Sequence, residues 1–473
     1  MLWTRDKGDC PSPSKKKTNG FSPSRLKMLR AETVKLLPSR IGSPRGAAGG
    51  PGPLPYTSNP AQLIWSDLKL FFRVSYLLPA IFFPWGKRRG DEIYPDLGNG
   101  IQLSWQITLI VYQVLFILSL PFCLILPLAW FLIYAAAAIA LCVPIWMIVN
   151  GRKHEVHSSR DIASEHEHPD ELWIFINGVA VGRYWLQANL DRLARVFGRP
   201  ITGIHNKTNG LIFDLVQCMI ERNLNYSTQD IRDAYKLVKD ALMDANRKKV
   251  VLILHSQGAL QGSLMIDWLL AELSEDILQK LEVYTFGNAA NHFNNPAKSS
   301  SHPRDGEDGE GRRRKKAIRY IEHYVNEEDM VARWGVLHFI HEPNRFMGRL
   351  FQRKGTGHLL NQHYLNYMFP LGSDNRALDK NDFMDSEVDL DHDDFDVDRE
   401  GLEDSLCDLL SGSDSDSDSD DSDKAIVNDF NSPVLPVAST HSLASSSRRL
   451  PKHPKVKDFS RLWQYRNGRC PRE

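Results

Sequence analysis

The chain has 473 residues, 42% hydrophobic and 25% charged, with 58 Lys plus Arg against 58 Asp plus Glu. That length admits one large domain or two ordinary ones with tails, and the balanced charge gives no reason to expect a nucleic-acid partner. The six cysteines (Cys10, Cys123, Cys142, Cys218, Cys407, Cys470) show neither a disulfide framework nor metal-ligand spacing, and no phosphate-binding glycine loop is present, so neither metal nor cofactor is expected.

Residues 1–59 are rich in Ser, Pro, Gly, Lys and Arg, contain no apolar run of signal-peptide length, and read as a disordered basic tail. Residues 60–90 are apolar and aromatic with Asp67, Lys69 and Arg73 interspersed. This reads as an interfacial helix, with packing against a soluble core as the rival. From 97 to 151 there are 55 residues without Asp, Glu, Lys, Arg or His. One membrane span needs roughly 20 residues, so a transmembrane hairpin is expected within 101–150, at about 104–124 and 129–149. Lys87-Arg88-Arg89 precede it and Arg152-Lys153 follow it. Basic flanks on both sides put both ends, and the domain beyond, in the cytosol at an internal membrane.

Residues 168–371 alternate apolar strand runs with helical periodicity. Leu172–Ile176, Ile201–His205, Val250–Leu254, Leu281–Gly287 and Ala317–Val325 read as strands, and Ser227-Thr228-Gln229-Asp230 as a capping box opening a helix. The fold class is therefore α/β, a mostly parallel sheet with helices on both faces. Lys298–Lys316 is a polar, disordered insertion, and 372–473 an acidic then basic disordered tail. Serines among acids at Ser411–Asp423 suit an acidophilic kinase, and the charged tails could recruit protein partners.

Lys249–Leu260 (K-V-V-L-I-L-H-S-Q-G-A-L) organises the chemistry. An apolar strand, a sharp turn carrying Ser256 and a helix form the setting of a nucleophile elbow, G-x-S-x-G. Gly258 fills the second glycine position, but Leu254 stands at the first, which demands a compensation elsewhere. A serine nucleophile needs a base oriented by an acid, both from later loops. Asp329 follows the Ala317–Val325 strand, with Glu327 and Glu328 as alternatives; an ordinary acidic loop is the plainer reading. His358, in a glycine-bounded turn, is the base, and His363, inside the following helix, the alternative. Two N–H donors must hold an oxyanion: Gln257 supplies one, and Gly178 or Val179, after the first strand, the other. Trp334 to Phe351 supply apolar residues for a lid or acyl pocket, or for a plain buried cap.

F-I-N-G-V, N-L-D-R-L-A-R-V-F-G-R-P, I-L-H-S-Q-G, Y-T-F-G-N-A-A-N-H-F-N-N-P and G-H-L-L-N-Q-H-Y-L together resemble the α/β-hydrolase superfamily, lipase-like serine esterases in particular, and a group of fungal membrane-anchored proteins with such a domain. The resemblance covers 171–370 and the hairpin. It implies Ser256 as nucleophile, Asp329 as acid and His358 as base. The function expected is a membrane-anchored serine hydrolase cleaving a lipid or other amphiphilic ester at the bilayer. The alternative is a catalytically silent scaffold of the same fold.

Overall fold

A computed structural model describes residues 33–40, 53–159, 168–297, 316–390 and 453–471. Most of the expected basic tail, nearly all of the polar insertion and the Ser/Asp run lie outside these residues.

The core is a nine-stranded, mostly parallel sheet in the order β2-β4-β3-β5-β6-β7-β8-β1-β9. Its centre is β3 (Glu171–Ile176), β5 (Lys249–His255), β6 (Leu281–Phe286) and β7 (Tyr320–Glu328), joined in parallel register. On β5, Val250, Leu252 and Leu254 face one apolar cluster and Val251 and Ile253 the other, so both faces are dry. That explains the unbroken apolar runs: a strand covered on both sides has no solvent face to make polar. Parallel strands β4 (Ile201–Ile204) and β8 (Arg349–Thr356) flank this centre. Short β2 (Glu155–His157) pairs antiparallel with β4 at one edge. Helices α4 (Arg183–Phe197), α5 (Leu211–Leu224), α6 (Gln229–Met243) and α7 (Gln257–Glu272) connect or cover the strands. Thr228 is the N-cap of α6, yet no side chain caps it; the Thr228 hydroxyl turns to Glu221 instead (3.3 Å), so the expected capping box is not formed.

Two stretches read as disordered tail are built into the sheet. β1 (Val34–Leu37) lies antiparallel to β8, and β9 (Val388–Leu390) parallel to β1. Residues 453–471 dock as well, burying Val456, Phe459, Leu462, Trp463 and Tyr465. This last segment meets a pair of carboxylates inside the sheet, each of which also accepts from a strand tyrosine, Tyr284 or Tyr324 (2.7 Å each). Glu322 on β7 accepts from the N–H of Arg461 (2.8 Å) and Leu462 (3.3 Å), and Glu282 on β6 meets the Arg461 guanidinium (3.4 Å) and the Tyr465 hydroxyl (2.8 Å). Buried carboxylates need such partners, and the late segment provides them.

The 60–90 segment forms α1 (Pro60–Val74) and a 3₁₀ turn (Ser75–Ile81). Leu63, Asp67, Leu70 and Val74 are buried, and Asp67 pairs with the buried Arg222 of α5, while Trp65, Phe72 and Tyr76 remain exposed. Helix α1 thus packs on the core through one face and shows aromatic rings on the other. α2 (Leu97–Cys123) and α3 (Leu128–Asn150) are long and apolar enough to cross a membrane.

Arg461→Ala would leave Glu282 inside the sheet without its counter-charge, held, among the described residues, only by the Tyr284 and Tyr465 hydroxyls. The expected loss is about 3–5 kcal/mol, the range for breaking a buried pair, read by urea unfolding of the solubilised chain. A loss below about 1 kcal/mol would mean that the docked segment contributes little.

Candidate active site

The chain turns from β3 toward β4 on one side and from β5 toward β6 on the other. The carboxyl ends of β3 and β5 are therefore a topological switch point, where open α/β sheets form their crevice. Ser256 sits there with φ 56° and ψ −121°, a strained conformation for a residue with a side chain. The strain is held by close approach. A Cβ on Gly258 would lie 2.3 Å from the carbonyl oxygen of Ile176, so only glycine lets α7 start against the end of β3. The compensation for Leu254 lies one helical turn further on. A Cβ on Gly262 would lie 2.3 Å from Leu254 Cδ1; the leucine fills the space that this helix glycine leaves open.

His358 reaches Ser256 from the loop after β8. Its Nε2 is 2.8 Å from Ser256 Oγ, and its Nδ1 is 2.8 Å from Asp329 Oδ2. Asp329 is fully buried and its carboxyl is held below the ordinary range: burial opposes this, but the charge and hydrogen bond of His358, with the Tyr364 hydroxyl and the Val331 N–H, outweigh it. An ionised carboxylate only accepts, so Nδ1 carries the imidazole proton and Nε2 accepts from the serine hydroxyl. Asp329 also caps the helix Met330–Trp334 through the N–H of Val331 (2.8 Å) and Ala332 (3.3 Å). Glu327 and Glu328 are not part of this arrangement: the Glu327 carboxylate pairs with Arg333, and Glu328 is an exposed residue at the end of β7.

His363 is placed elsewhere. Its Nδ1 accepts from the N–H of Leu359 (3.0 Å) and its Nε2 donates to the Pro84 carbonyl (2.8 Å); burial pushes its pKa down to about 4. It locks the loop that carries His358 and does not meet Ser256. Neighbouring His255 stacks on His358 (centroids 4.8 Å apart) and donates to its carbonyl (2.8 Å). Burial, then the charge of His358, pushes His255 down to about 3, so it stays neutral.

Gly178 abuts the serine: a Cβ there would lie 2.4 Å from Ser256 Cβ. Among the described residues no acceptor meets the N–H of Gly178, Val179 or Gln257, leaving these donors for an oxyanion. The Gln257 side chain is held between Asn206 (2.8 Å) and Glu221 (3.0 Å), which steadies the first turn of α7. Trp334, Val336, Phe339, Ile340 and Phe346 are buried, and Arg222 stacks 4.0 Å over Trp334; this stretch packs as a cap against the core. Away from the site, His168, Glu171 and Cys470 place ligand atoms within 4.8 Å of one another, but Glu171 is already engaged by Arg199 and Trp173.

Three contributors escape a reading of the sequence. The Tyr364 hydroxyl donates to Asp329 Oδ2 at 2.5 Å. Gly287, with φ 55°, leaves room for the His358–Asp329 pair. Glu92, just before the hairpin, accepts from the N–H of Asn361 (2.8 Å) and Gln362 (3.1 Å), tying down the helix behind His358. Only the Tyr364 position, six residues after His358, carries a readable hint.

No protein-family model matches the chain, no curated protein is significantly similar to it, and no solved structure matches its fold significantly.

Gly262→Ala should destabilise the chain by about 1–3 kcal/mol through overpacking against Leu254. Adding Leu254→Ala should cost less than the sum of the two single changes, because they share one space; additive losses in urea unfolding would mean that the two residues do not compensate each other. Burial pushes Glu92 up to about 7, the N–H groups of Asn361 and Gln362 offsetting only part of it. The unfolded carboxyl releases its proton near pH 4.5, so stability should fall as pH rises from about 4.5 to 7. Glu92→Gln should flatten that slope in unfolding curves taken across the window.

Proposed function

We propose that the chain is a membrane-anchored serine hydrolase of α/β-hydrolase type that cleaves a carboxylic ester of a lipid or another amphiphile. The observation that carries this reading is His358 bridging Ser256 and Asp329 with two 2.8 Å contacts. Nucleophile, acid and base also follow β5, β7 and β8 in the chain order of that superfamily.

In this mechanism Ser256 Oγ attacks the acyl carbonyl while His358 Nε2 takes its proton. The oxyanion is held by the N–H of Gln257 and of Gly178 or Val179, and the buried Asp329 stabilises the imidazolium. The tetrahedral intermediate collapses, the acyl–oxygen bond breaks, and His358 returns the proton to the leaving alkoxide. Water then attacks the acyl-enzyme by the same route, releasing the carboxylic acid and regenerating Ser256.

An amphiphilic substrate follows from where the site is held. The hairpin docks on the loop after β3, Gln106 of α2 donating to the Ala180 carbonyl (3.1 Å) two residues past Gly178. A domain anchored this way, facing the cytosol of an internal membrane, meets esters that reside in or on the bilayer. Ser256 is only 2% exposed, so a substrate must part the covering segments. That closure is what favours the second reading, a silent scaffold.

A fluorophosphonate probe should label the wild-type chain in membranes, and neither Ser256→Ala nor His358→Ala should be labelled. Asp329→Asn should lower ester turnover by about 10⁴-fold, as loss of the orienting acid does in such triads. A folded wild-type chain that resists the probe would sink the enzyme reading and leave the scaffold.

A further inference from the structure

The hairpin is docked along half its length, and this limits how far it can enter a bilayer. The buried residues of α2 are Asn99, Gln102, Gln106, Leu109 and Gln113, a helical stripe that is almost wholly polar on an otherwise apolar helix. Each polar member faces the α/β domain. Asn99 accepts from Trp185 Nε1 (2.9 Å), a Cβ on Gly182 would collide with Gln102, and Gln106 bonds Ala180. Gln113 bonds the Asn209 carbonyl, and from α3 Trp146 Nε1 donates to that same carbonyl (2.8 Å) while Asn150 exchanges bonds with Thr208 (2.8 and 3.0 Å). The loop that receives these bonds also carries Lys207. A polar loop with a lysine does not enter hydrocarbon.

Beyond Gln113 the contact with the domain thins to Phe116, edge-on to Phe213 of α5 (centroids 6.1 Å). Tyr112 donates to the Ala138 carbonyl (2.9 Å), which puts the two helices level there. What remains is Val114–Cys123 and Leu128–Ala137, ten residues each. Ten helical residues reach about 15 Å, half the roughly 30 Å of a bilayer's hydrocarbon. The tip has no polar residue: Leu124, Ile125, Leu126 and Leu128 are exposed and apolar. Part of its backbone is satisfied internally, with Leu126 N–H donating to the Cys123 carbonyl (3.0 Å), Leu124 N–H to that of Pro121 (3.4 Å) and Pro127 having no N–H, while α3 starts without a side-chain cap. A turn on the far aqueous side would have no reason to be so composed.

The base of the hairpin has the composition of a headgroup layer. α5 exposes Val216, Ile220 and Leu224 at helical spacing, α1 exposes Trp65 and Phe72 and the turn after it Tyr76, and Lys69 lies 5.1 Å over the Trp65 ring with Arg73 on the same helix. Exposed aromatic rings with basic side chains suit an anionic membrane surface.

We propose that the hairpin is a wedge in the cytosolic leaflet, not a pair of full spans, and that α1 and α5 rest on the headgroups beside it. The inference rests on the membrane part of the functional reading and not on catalysis. It also places the same chain on a phospholipid monolayer over oil, where a full span has no place.

The test uses the full-length chain with its native cysteines replaced, carrying Ile125→Cys or, as a control, Lys87→Cys, in sealed vesicles of phosphatidylcholine and phosphatidylserine. Flotation with the vesicles comes first; a chain that does not float overturns the membrane reading itself. The thiol of the Lys87→Cys control should react with an external, membrane-impermeant maleimide. The thiol of Ile125→Cys should react neither with external reagent nor with reagent trapped inside, and should react once detergent is added. Labelling from the interior would overturn the wedge in favour of full spans, and labelling from outside would overturn insertion. As a second readout, wild type should move from vesicles to phosphatidylcholine-coated triolein droplets; retention on vesicles alone would also count against the wedge.

Discussion

The structure depends on one close approach, the start of α7 against the end of β3. Only the missing side chain of Gly258 lets helix backbone meet the Ile176 carbonyl, and that contact forces Ser256 into positive φ at the tip of the sheet. Everything else at the site is arranged around this point. Gly178 makes room beside the serine on one side, Gly287 makes room for the His358–Asp329 pair on the other, and Gly262 gives Leu254 its place below. Local strain of order 1–3 kcal/mol at one residue is tolerable because the strands beneath are buried on both faces and cannot shift.

The central strands were legible because burial on both faces writes itself into a sequence as an unbroken apolar run. Ser256, His358 and Asp329, which the fold brings into one line, are the residues that chain order singles out, since the elbow and the turn glycines around His358 are local patterns. Their chemical role is a separate matter. The positions that escaped are those whose partner is remote in sequence. Glu282 and Glu322 look like misplaced charges until Arg461 and the backbone of 461–462 are brought to them, and Val34–Leu37 is four residues in a basic stretch until β8 pairs with it. Composition averaged over a tail hides such short docking segments. The pairing of Leu254 with Gly262 is likewise invisible as a motif, because it departs from the usual spacing of small residues and restores the same packing by another route.

The polar stripe of α2 shows the same principle from the other side. Glutamines at 102, 106 and 113 look like interruptions of a membrane helix. In the folded chain they are the face that meets the domain: Gln106 and Gln113 bond the carbonyls of Ala180 and Asn209, while the amide nitrogen of Gln102 is buried without a partner. Hairpin and sheet are therefore one rigid packing problem, and the loop past Gly178 is shared between them.

The edge of the sheet is closed by residues from both ends of the described chain. Ser39 bonds the Gly348 carbonyl across 309 residues of sequence, and Arg349 reaches the Phe459 carbonyl across 110. Such long-range pairing is slow, and it cannot finish until residues 453–471 have left the ribosome. A hairpin at 97–150 is synthesised long before that. On the membrane-anchored reading proposed above, the apolar helices are committed to lipid while β5 and β7 still wait for their neighbours, and the bilayer becomes the surface on which the rest of the molecule folds.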